Sequence, residues 1–519
     1  MTLKFSIVFP LLVIAASACW QSSEQKEEDA STENDVQKDS SVDLDADTDG
    51  DADADSDNDA DADADTEWHT FYGSAVGDEG NSIALDSSGN IFIAGTSEGT
   101  WNGPADQIPL NGYNNGRDII IIKNTSDGTY ENHTFYGSEN TDYVCTIAVD
   151  KNSDTIIAGT SALTWDGPEG QVPLNPFNES WFDFVILKLN NSGIYKWHTF
   201  YGSAVSDSCN DMIIDSNNNI YVVGEGSLWD GPMGQEPIHE YSGRMDDIVI
   251  FKLDSNGAYI WHTFFGGPDS GGDIANGITL DNSQNIYVVG SSDDTWNGPD
   301  DQTPINDHTG IFSDIVVLKL DEDGFYQWHT FYPANQDLSN YGITSDSNGN
   351  IYATWNSDDA WDGPAGQRPL HPHSGGATDI VILKLDSNGE YQWHTFYGSG
   401  FRDYANALTL DRSGNILVTG NSVDFWNGPE GLLPFNAPSS YENLFVLSVD
   451  PEGNYLWHSF YGGDGVDRGR DIVTDNDDNI FVAGSSDESW NWPDGGAPLH
   501  SFSGGNDAVI LKLKAVPAE

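Results

Sequence analysis

An all-β chain folded as a seven-bladed β-propeller, with four antiparallel strands to a blade, is what this sequence predicts, and three observations carry the prediction. The hexad Trp68-His-Thr-Phe-Tyr-Gly73 returns, with small changes, at Asn132, Trp197, Trp261, Trp328, Trp393 and Trp457. Its seven copies are spaced by 64, 65, 64, 67, 65 and 64 residues, and a sustained period marks a repeat architecture. Each period holds four short runs rich in β-branched and aromatic residues, parted by turns bearing Gly, Asn and Asp. The last period stops after its third run, Asp507-Ala-Val-Ile-Leu-Lys-Leu513, while a spare hexad stands at Trp68, ahead of the first complete period. The N-terminal strand is therefore expected to complete blade seven as its outer strand and so leave no unpaired sheet edge.

In chain order, residues 1–19 read as an export signal. Lys4 supplies a weak positive start, and Phe5 to Ile14 is an apolar run too short to span a bilayer. Ala16-Ser17-Ala18-Cys19 resembles the bacterial lipobox, which implies acylation of Cys19, although Ala16 stands where Leu is usual. Ala16-x-Ala18 serves equally as an ordinary cleavage site. Both routes lead out of the cytoplasm, to a lipid anchor at a bacterial (outer) membrane or to secretion.

Residues 20–66 form an acidic Asp/Ala-rich tether. From Gln21 to Glu67 there are 20 acidic and 2 basic residues and no aromatic one, so the segment is expected to be disordered and extended by self-repulsion. Its upper reach is on the order of 150 Å. Asp45-x-Asp47-x-Asp49-Gly50 looks like the opening of a calcium loop, but Ser56 occupies the place of the closing Glu; a charged spacer is the plainer reading.

Residues 67–514 carry the propeller, and 515–519 are a C-terminal tail. Within a period, an apolar run ending in Asp (Ser82-Ile-Ala-Leu-Asp86) is followed by a Ser-Ser-Gly turn and by Asn90-Ile-Phe-Ile-Ala-Gly95. A longer loop then precedes Asp118-Ile-Ile-Ile-Ile-Lys123, and a second tight turn, clearest as Asp254-Ser-Asn-Gly257, leads to the next hexad. Asp and Asn initiate such turns and Gly supplies the left-handed residue, so both connections read as hairpins. The pattern Gly-Ser-x-x-x-Asp, then Ile-x-x-Asp-Ser-x-Gly-Asn-Ile-Tyr-Val-x-Gly, resembles the SBBP family of bacterial β-propeller repeats, with good copies at Asp207 to Gly224 and Asp403 to Gly420. The resemblance implies the fold and an extracytoplasmic bacterial setting, and implies no catalytic residues. The Trp-Asn-Gly-Pro loop departs from the family pattern, so any specificity it carries belongs to this chain.

Two sets of carboxylates recur. Asp78, Asp142, Asp207, Asp273, Asp403 and Asp467 stand eight residues before the Asp that ends the first strand; blade five has Leu338 there, with Asp337 beside it. Asp118, Asp183, Asp247, Asp314, Asp379 and Asp507 open the third strand, with Asn443 in blade six. The first set is expected around the mouth of the central channel, where converging oxygens would suit Ca²⁺. The alternative is that each Asp caps amides of its own loop, which a structural repeat would copy into every blade.

A third set is Trp101, Trp165, Trp229, Trp296, Trp361 and Trp426, each followed by Asn or Asp, Gly and Pro, with a degraded copy at Trp490. Indole faces beside polar side chains are what a sugar pocket uses, and six of them would make a multivalent lectin. The rival reading is that each Trp pins its loop by packing. The histidines of the hexads, one per outer strand, are too far apart to share a zinc ion and read as structural. Cys145 and Cys209 are expected as free thiols, because neighbouring blades are expected to hold their Cα atoms too far apart.

Charge narrows the function classes. The net charge of −65, with only 19 Lys and Arg, excludes a nucleic-acid partner and disfavours anionic lipid surfaces, so any membrane contact would come through the N-terminal anchor. No His-Glu-x-x-His or phosphate loop is present, and the turn at Asp254 is one residue too long for a sialidase Asp box. The expectation is a monomeric, non-enzymatic cell-surface binding or scaffold module, engaging a protein partner with Ca²⁺ as its one candidate cofactor. A multivalent lectin is the alternative, and a hydrolase follows behind it.

Overall fold

The computed structural model of the protein describes residues 67–514, apart from 179–180, 244, 269–271, 310–312, 335–340, 440 and 494. The export signal, the tether, Cys19, the tail at 515–519 and the pair Asp337 and Leu338 lie outside the described residues. Seven four-stranded sheets follow one another, each an antiparallel meander. Blade one runs from its inner strand, Asp78–Leu85, through Ile91–Ser97 and Asp118–Asn124 to its outer strand, Tyr130–Tyr136. In the last sheet, Asp467–Thr474, Ile480–Ser486 and Asp507–Leu513 are joined by Trp68–Tyr72, in a register that sets Trp68 opposite Lys512 and Tyr72 opposite Ala508. The ring closes as the spare hexad requires.

The middle strands explain why the blades hold together. Ile91–Ser97 is buried at every position, and Asp118–Asn124 at all but one, because blades cover both faces. Such strands read as continuous apolar runs rather than alternating ones. Each core lies between blades: Ile93, Ile120 and Phe135 of blade one pack with Tyr72, Ala508 and Ile510 of blade seven. Burying one such Ile or Phe side chain is worth about 1.5–3 kcal/mol. The hairpins below are made by their Asp residues. Asp86 Oδ1 accepts the amides of Ser88 and Asn90, each at 2.9 Å, and Gly89 takes the positive φ of +78° that the turn demands.

The long loop between the second and third strands does not stay on the face where the loops enter the inner strands. It descends the outside of its own blade, where Leu110 N donates to His133 O at 2.9 Å and Phe135 N donates to Asn111 O at 3.1 Å. The same pair of bonds recurs in blade two between Leu174 and His198 and between Phe200 and Asn175, and in blade seven between Leu499 and His69 and between Phe71 and His500. The loop thereby occupies the otherwise unpaired edge of the outer strand, the edge at which β proteins are prone to pair with one another.

One expectation is overturned. Cys145 and Cys209 form a disulfide between the inner strands of blades two and three, with Cα atoms 6.1 Å apart. Inner strands converge towards the channel, so neighbouring blades are closer there than a blade-to-blade spacing would suggest.

Candidate functional site

The tryptophan set is structural, which corrects its reading as a row of sugar-stacking platforms. Trp101, Trp165, Trp229, Trp296, Trp361, Trp426 and Trp490 are all buried. Each lies flat on the histidine of the outer strand beside it: Trp101 on His133 at 4.0 Å, Trp361 on His394 at 3.8 Å, Trp490 on His69 at 3.9 Å. In blade two, His198 Nε2 donates to the carbonyl of Trp165 at 2.9 Å, while Nδ1 accepts from the Tyr195 hydroxyl at 2.8 Å, the tautomer this network assigns. Burial lowers the pKa of His133, His198 and His262 to about 4, so these rings stay neutral at physiological pH. Imidazole covers one indole face in each blade, and Phe and Tyr rings pack against the edges in most of them.

The first Asp set caps its own loops. Asp78 Oδ2 accepts from Ser74 N at 2.6 Å and Ser74 Oγ at 2.7 Å, and Oδ1 accepts from Ser97 Oγ. Asp142 is held likewise by Ser138 and Ser161, and Asp403 by Ser399 and Ser422. Asp207 is held by Ser203 and Ser227, Asp273 by Gly267 and Ser292, and Asp467 by Gly463 and Ser486. All six are 0–1% exposed, so they do not line an open mouth. The second set meets the first across blade junctions. A methyl group on Gly137 would stand 2.8 Å from Asp142 Oδ2 and 2.9 Å from Asp118 Oδ1, so glycine keeps the two carboxylates in place. Burial, with the neighbouring Asp142 adding to it, pushes Asp118 up to about 7; Asp507, beside Asp78, rises to about 7 for the same reasons. Among the described residues, no three His, Cys, Asp or Glu side chains gather around a point where a metal could sit.

What the repeat pattern did not single out is a ring at the centre. In the inner strand of blade one the register shifts between Gly80 and Ser82, leaving Asn81 as an extra residue in a bulge. Bulges re-aim side chains. The same shift frees Cys145, Asn210, Asn276, Asn406 and Arg470 in blades two, three, four, six and seven, and Tyr341 stands just before the shorter inner strand Gly342–Ser345. These seven residues, one from each blade, line a single cavity of about 220 Å³. A cavity touched by all seven inner strands is the central channel. The sequence signal was available: where the first-set Asp is present, the channel residue lies three positions after it.

Beside the channel, a second cavity of about 210 Å³ between blades two and three is lined by Tyr143, Val144, Phe182 and the Cys145–Cys209 bridge together with Thr160, Ser206 and Ser208. Cys145 borders both spaces. One residue along from the ring, Asp471 Oδ2 accepts from Ser82 Oγ at 2.7 Å and Ile83 N at 2.9 Å, and Asp211 Oδ2 accepts from Ile278 N at 3.0 Å. These half-buried carboxylates tie blade seven to one and blade three to four. Charges near the channel are paired: Arg468 Nε lies 2.7 Å from Glu442, and Arg470 Nη2 is 4.0 Å from Glu79.

The match to a family model agrees with this architecture. The family described as a β-propeller repeat, SBBP, matches residues 67–100 and 260–295. An uncharacterised WD repeat-containing protein of Acanthamoeba polyphaga mimivirus is 22% identical over 81% of this chain and 36% of its own length. The regulatory protein FlaEY of Caulobacter vibrioides is 24% identical over 37% of this chain and 19% of its own. The chain thus spans about a third and a fifth of the lengths of these two relatives. Among solved structures, the polysaccharide lyase Uly1 is 8% identical, with a TM-score of 0.45, over 86% of this chain and 92% of the lyase.

Proposed function

We propose that the protein is a non-enzymatic binding module of the bacterial exterior, which engages a protein partner with the face on which the channel opens beside the loops entering each inner strand. One observation carries this reading: the repeat is strict where side chains hold the fold and varied around the channel. Tyr143, Arg468 and Glu79 occupy equivalent places in three blades, and the loops before the inner strands present Val76, Val205 and Phe401, each about half exposed. Apolar tips around a polar mouth match the composition of a protein interface. The disulfide supports an oxidising compartment, in keeping with export and with a lipid anchor at Cys19. Calcium is not part of this reading, because the carboxylates that would bind it already accept hydrogen bonds from their own loops.

The test is site-specific photocrosslinking in cells, with the reactive residue placed at Phe401 on the channel face or at Asn256 in an opposite hairpin. Discrete adducts from position 401 and none from 256 are expected. Adducts from 256 alone, or from neither site, would sink the proposal.

A further inference from the structure

At six of the seven blade junctions, a hairpin glycine of the following blade lies against the long loop of the blade before it. A methyl group on Gly193 would stand 2.9 Å from Leu110 Cδ1, and one on Gly257 2.9 Å from Leu174 Cδ1. Gly128, Gly324, Gly389 and Gly453 face Leu499, Ile238, Ile305 and Leu370 in the same way. Blade seven has no such hairpin, because its third strand, Asp507–Leu513, and its outer strand, Trp68–Tyr72, are not consecutive in the chain. The junction of blades six and seven is built differently to match. Phe435 stands where the other long loops carry Leu or Ile, and Ser448 where Lys188 and Lys384 each reach a carbonyl of the next hairpin.

A cavity of about 350 Å³ opens at this junction, with Phe435, Asn436, Ser439, Tyr461, Asn491 and Pro493 in its walls. None of its lining residues is charged, in a chain with 84 acidic residues and 19 basic ones. Phe435 lays one face on Trp457, with ring centroids 5.6 Å apart, and is 63% exposed, so its other face is open to a ligand. Ser439 and Asn491 are exposed as well, and Asn436 is half-buried. Ser439 Oγ gives its proton to Asn443 Oδ1 or Gly463 O and is left to accept, whereas the Asn491 amide can donate and accept.

These walls select among ligand classes. An anion meets no cation here and is repelled by the acidic surface around it. A cation finds no carboxylate to pair with, and a wholly apolar molecule would strip water from Asn491 and Ser439 without replacing its hydrogen bonds. A sugar ring offers a C–H face to Phe435, and hydroxyls that both donate and accept to the amide and the serine. The volume, equivalent to about twelve water molecules, admits one such ring with space beside it.

We propose that the junction of blades six and seven binds a neutral sugar residue, free or at the end of a glycan, stacked on Phe435 and bonded to Asn491 and Ser439. The site stands apart from the channel face and from the buried tryptophans, and it turns on Phe435, which the other blades do not share.

Calorimetric titration of the full mature chain with glucose, galactose, mannose and N-acetylglucosamine, and with glucuronate and galacturonate as anionic comparisons, tests it. Saturable one-site binding of at least one neutral sugar is expected, with neither uronate binding more tightly than its parent sugar. Methyl glycosides of the bound sugar separate the sources: retained binding points to the end of a glycan, lost binding to the free sugar. Phe435→Leu restores the residue of blades one, two, five and seven, so it should keep the melting temperature and weaken binding about tenfold. Asn491→Ala, an exposed change, should weaken binding too, whereas Asn102→Ala, its counterpart at the junction of blades seven and one, should not. Failure of every neutral sugar to bind, a uronate binding more tightly than its parent, unchanged affinity in Phe435→Leu, or equal losses in Asn491→Ala and Asn102→Ala would each overturn the proposal. Crosslinking from Phe401 does not depend on these results, so a lost sugar site and a lost protein-binding face are told apart.

Discussion

The rim and the hub of each blade come from the same repeat, yet they are built under opposite constraints. At the rim, Trp lies on His in every blade, with the same bond from imidazole to the Trp carbonyl in each. At the hub, the equivalent position holds Asn81, Cys145, Asn210, Asn276, Tyr341, Asn406 and Arg470. Geometry explains the contrast. Seven copies on the rim face seven directions and cannot converge on one ligand, whereas seven inner-strand residues meet at the axis. Identity at the rim therefore serves the fold, and variety at the hub is where a single binding site can be written.

The comparison can be broken most forcefully at the ring's closure. Deleting residues 67–73 removes the outer strand of blade seven, uncovering the edge of Asp507–Leu513 and the apolar faces that Phe71 and Tyr72 cover. A loss of about 5 kcal/mol or more, with aggregation, is expected; a truncated protein that elutes as a monomer and melts like the wild type would show that the rim does not close the ring.

Next in size is the stacked indole. Trp229→Ala should cost about 3–5 kcal/mol by denaturant titration, because the side chain is buried against His262, Phe251 and Phe264. Asn276→Ala, at the hub, should stay within about 0.5 kcal/mol. Equal costs for the two would erase the distinction between rim and hub.

The disulfide lies between these extremes. Cys145→Ser with Cys209→Ser opens a bridge of sequence separation 64, for which chain entropy allows a loss of about 4 kcal/mol at most. Unfolded, unreduced protein should show no titratable thiol from this pair. Two free thiols would restore the expectation drawn from the sequence.

A buried group at the rim and one at a blade junction should also respond to pH with opposite signs, as a smaller effect. His262, lowered by burial from 6.5 to about 4, contributes stability above its unfolded value that is lost as pH falls from 6.5 through 4. Asp507, raised by burial from 3.8 to about 7, contributes stability below its unfolded value that is lost as pH rises through 7. Relative to the wild type, the melting temperature of His262→Gln should therefore improve towards acid and that of Asp507→Asn towards neutral pH. Parallel pH profiles for either variant and the wild type would refute that assignment.

Much of the fold was legible in the residues because propeller strands are local. A tight Asp-to-Gly turn fixes each hairpin within a few positions, and the spare hexad at Trp68 announced the closing strand. The candidate site was only half legible. Asp78 and its relatives are conspicuous because they repeat, but repetition is what loop capping produces, and their lone pairs are taken by Ser74, Ser97 and their counterparts. The position of Asn276 and Arg470 is inconspicuous because it is not kept in every blade, being Asn in four and Cys, Tyr and Arg in the others, so a search for strict motifs passes over it.

By itself, then, the sequence determined the number of blades, the order of strands and the manner of closure, since all three follow from period, turn chemistry and a strand count that must balance. Only the tertiary structure decided which side chains meet. The long loops turn down over the outer strands because those edges need hydrogen-bond partners, and they carry the tryptophans away from solvent. Cys145 reaches Cys209 because inner strands crowd together at the axis. The bulge beside Gly80 and its counterparts turns one residue in each of six blades into the channel, a placement set by backbone register, which no single period of the sequence reveals.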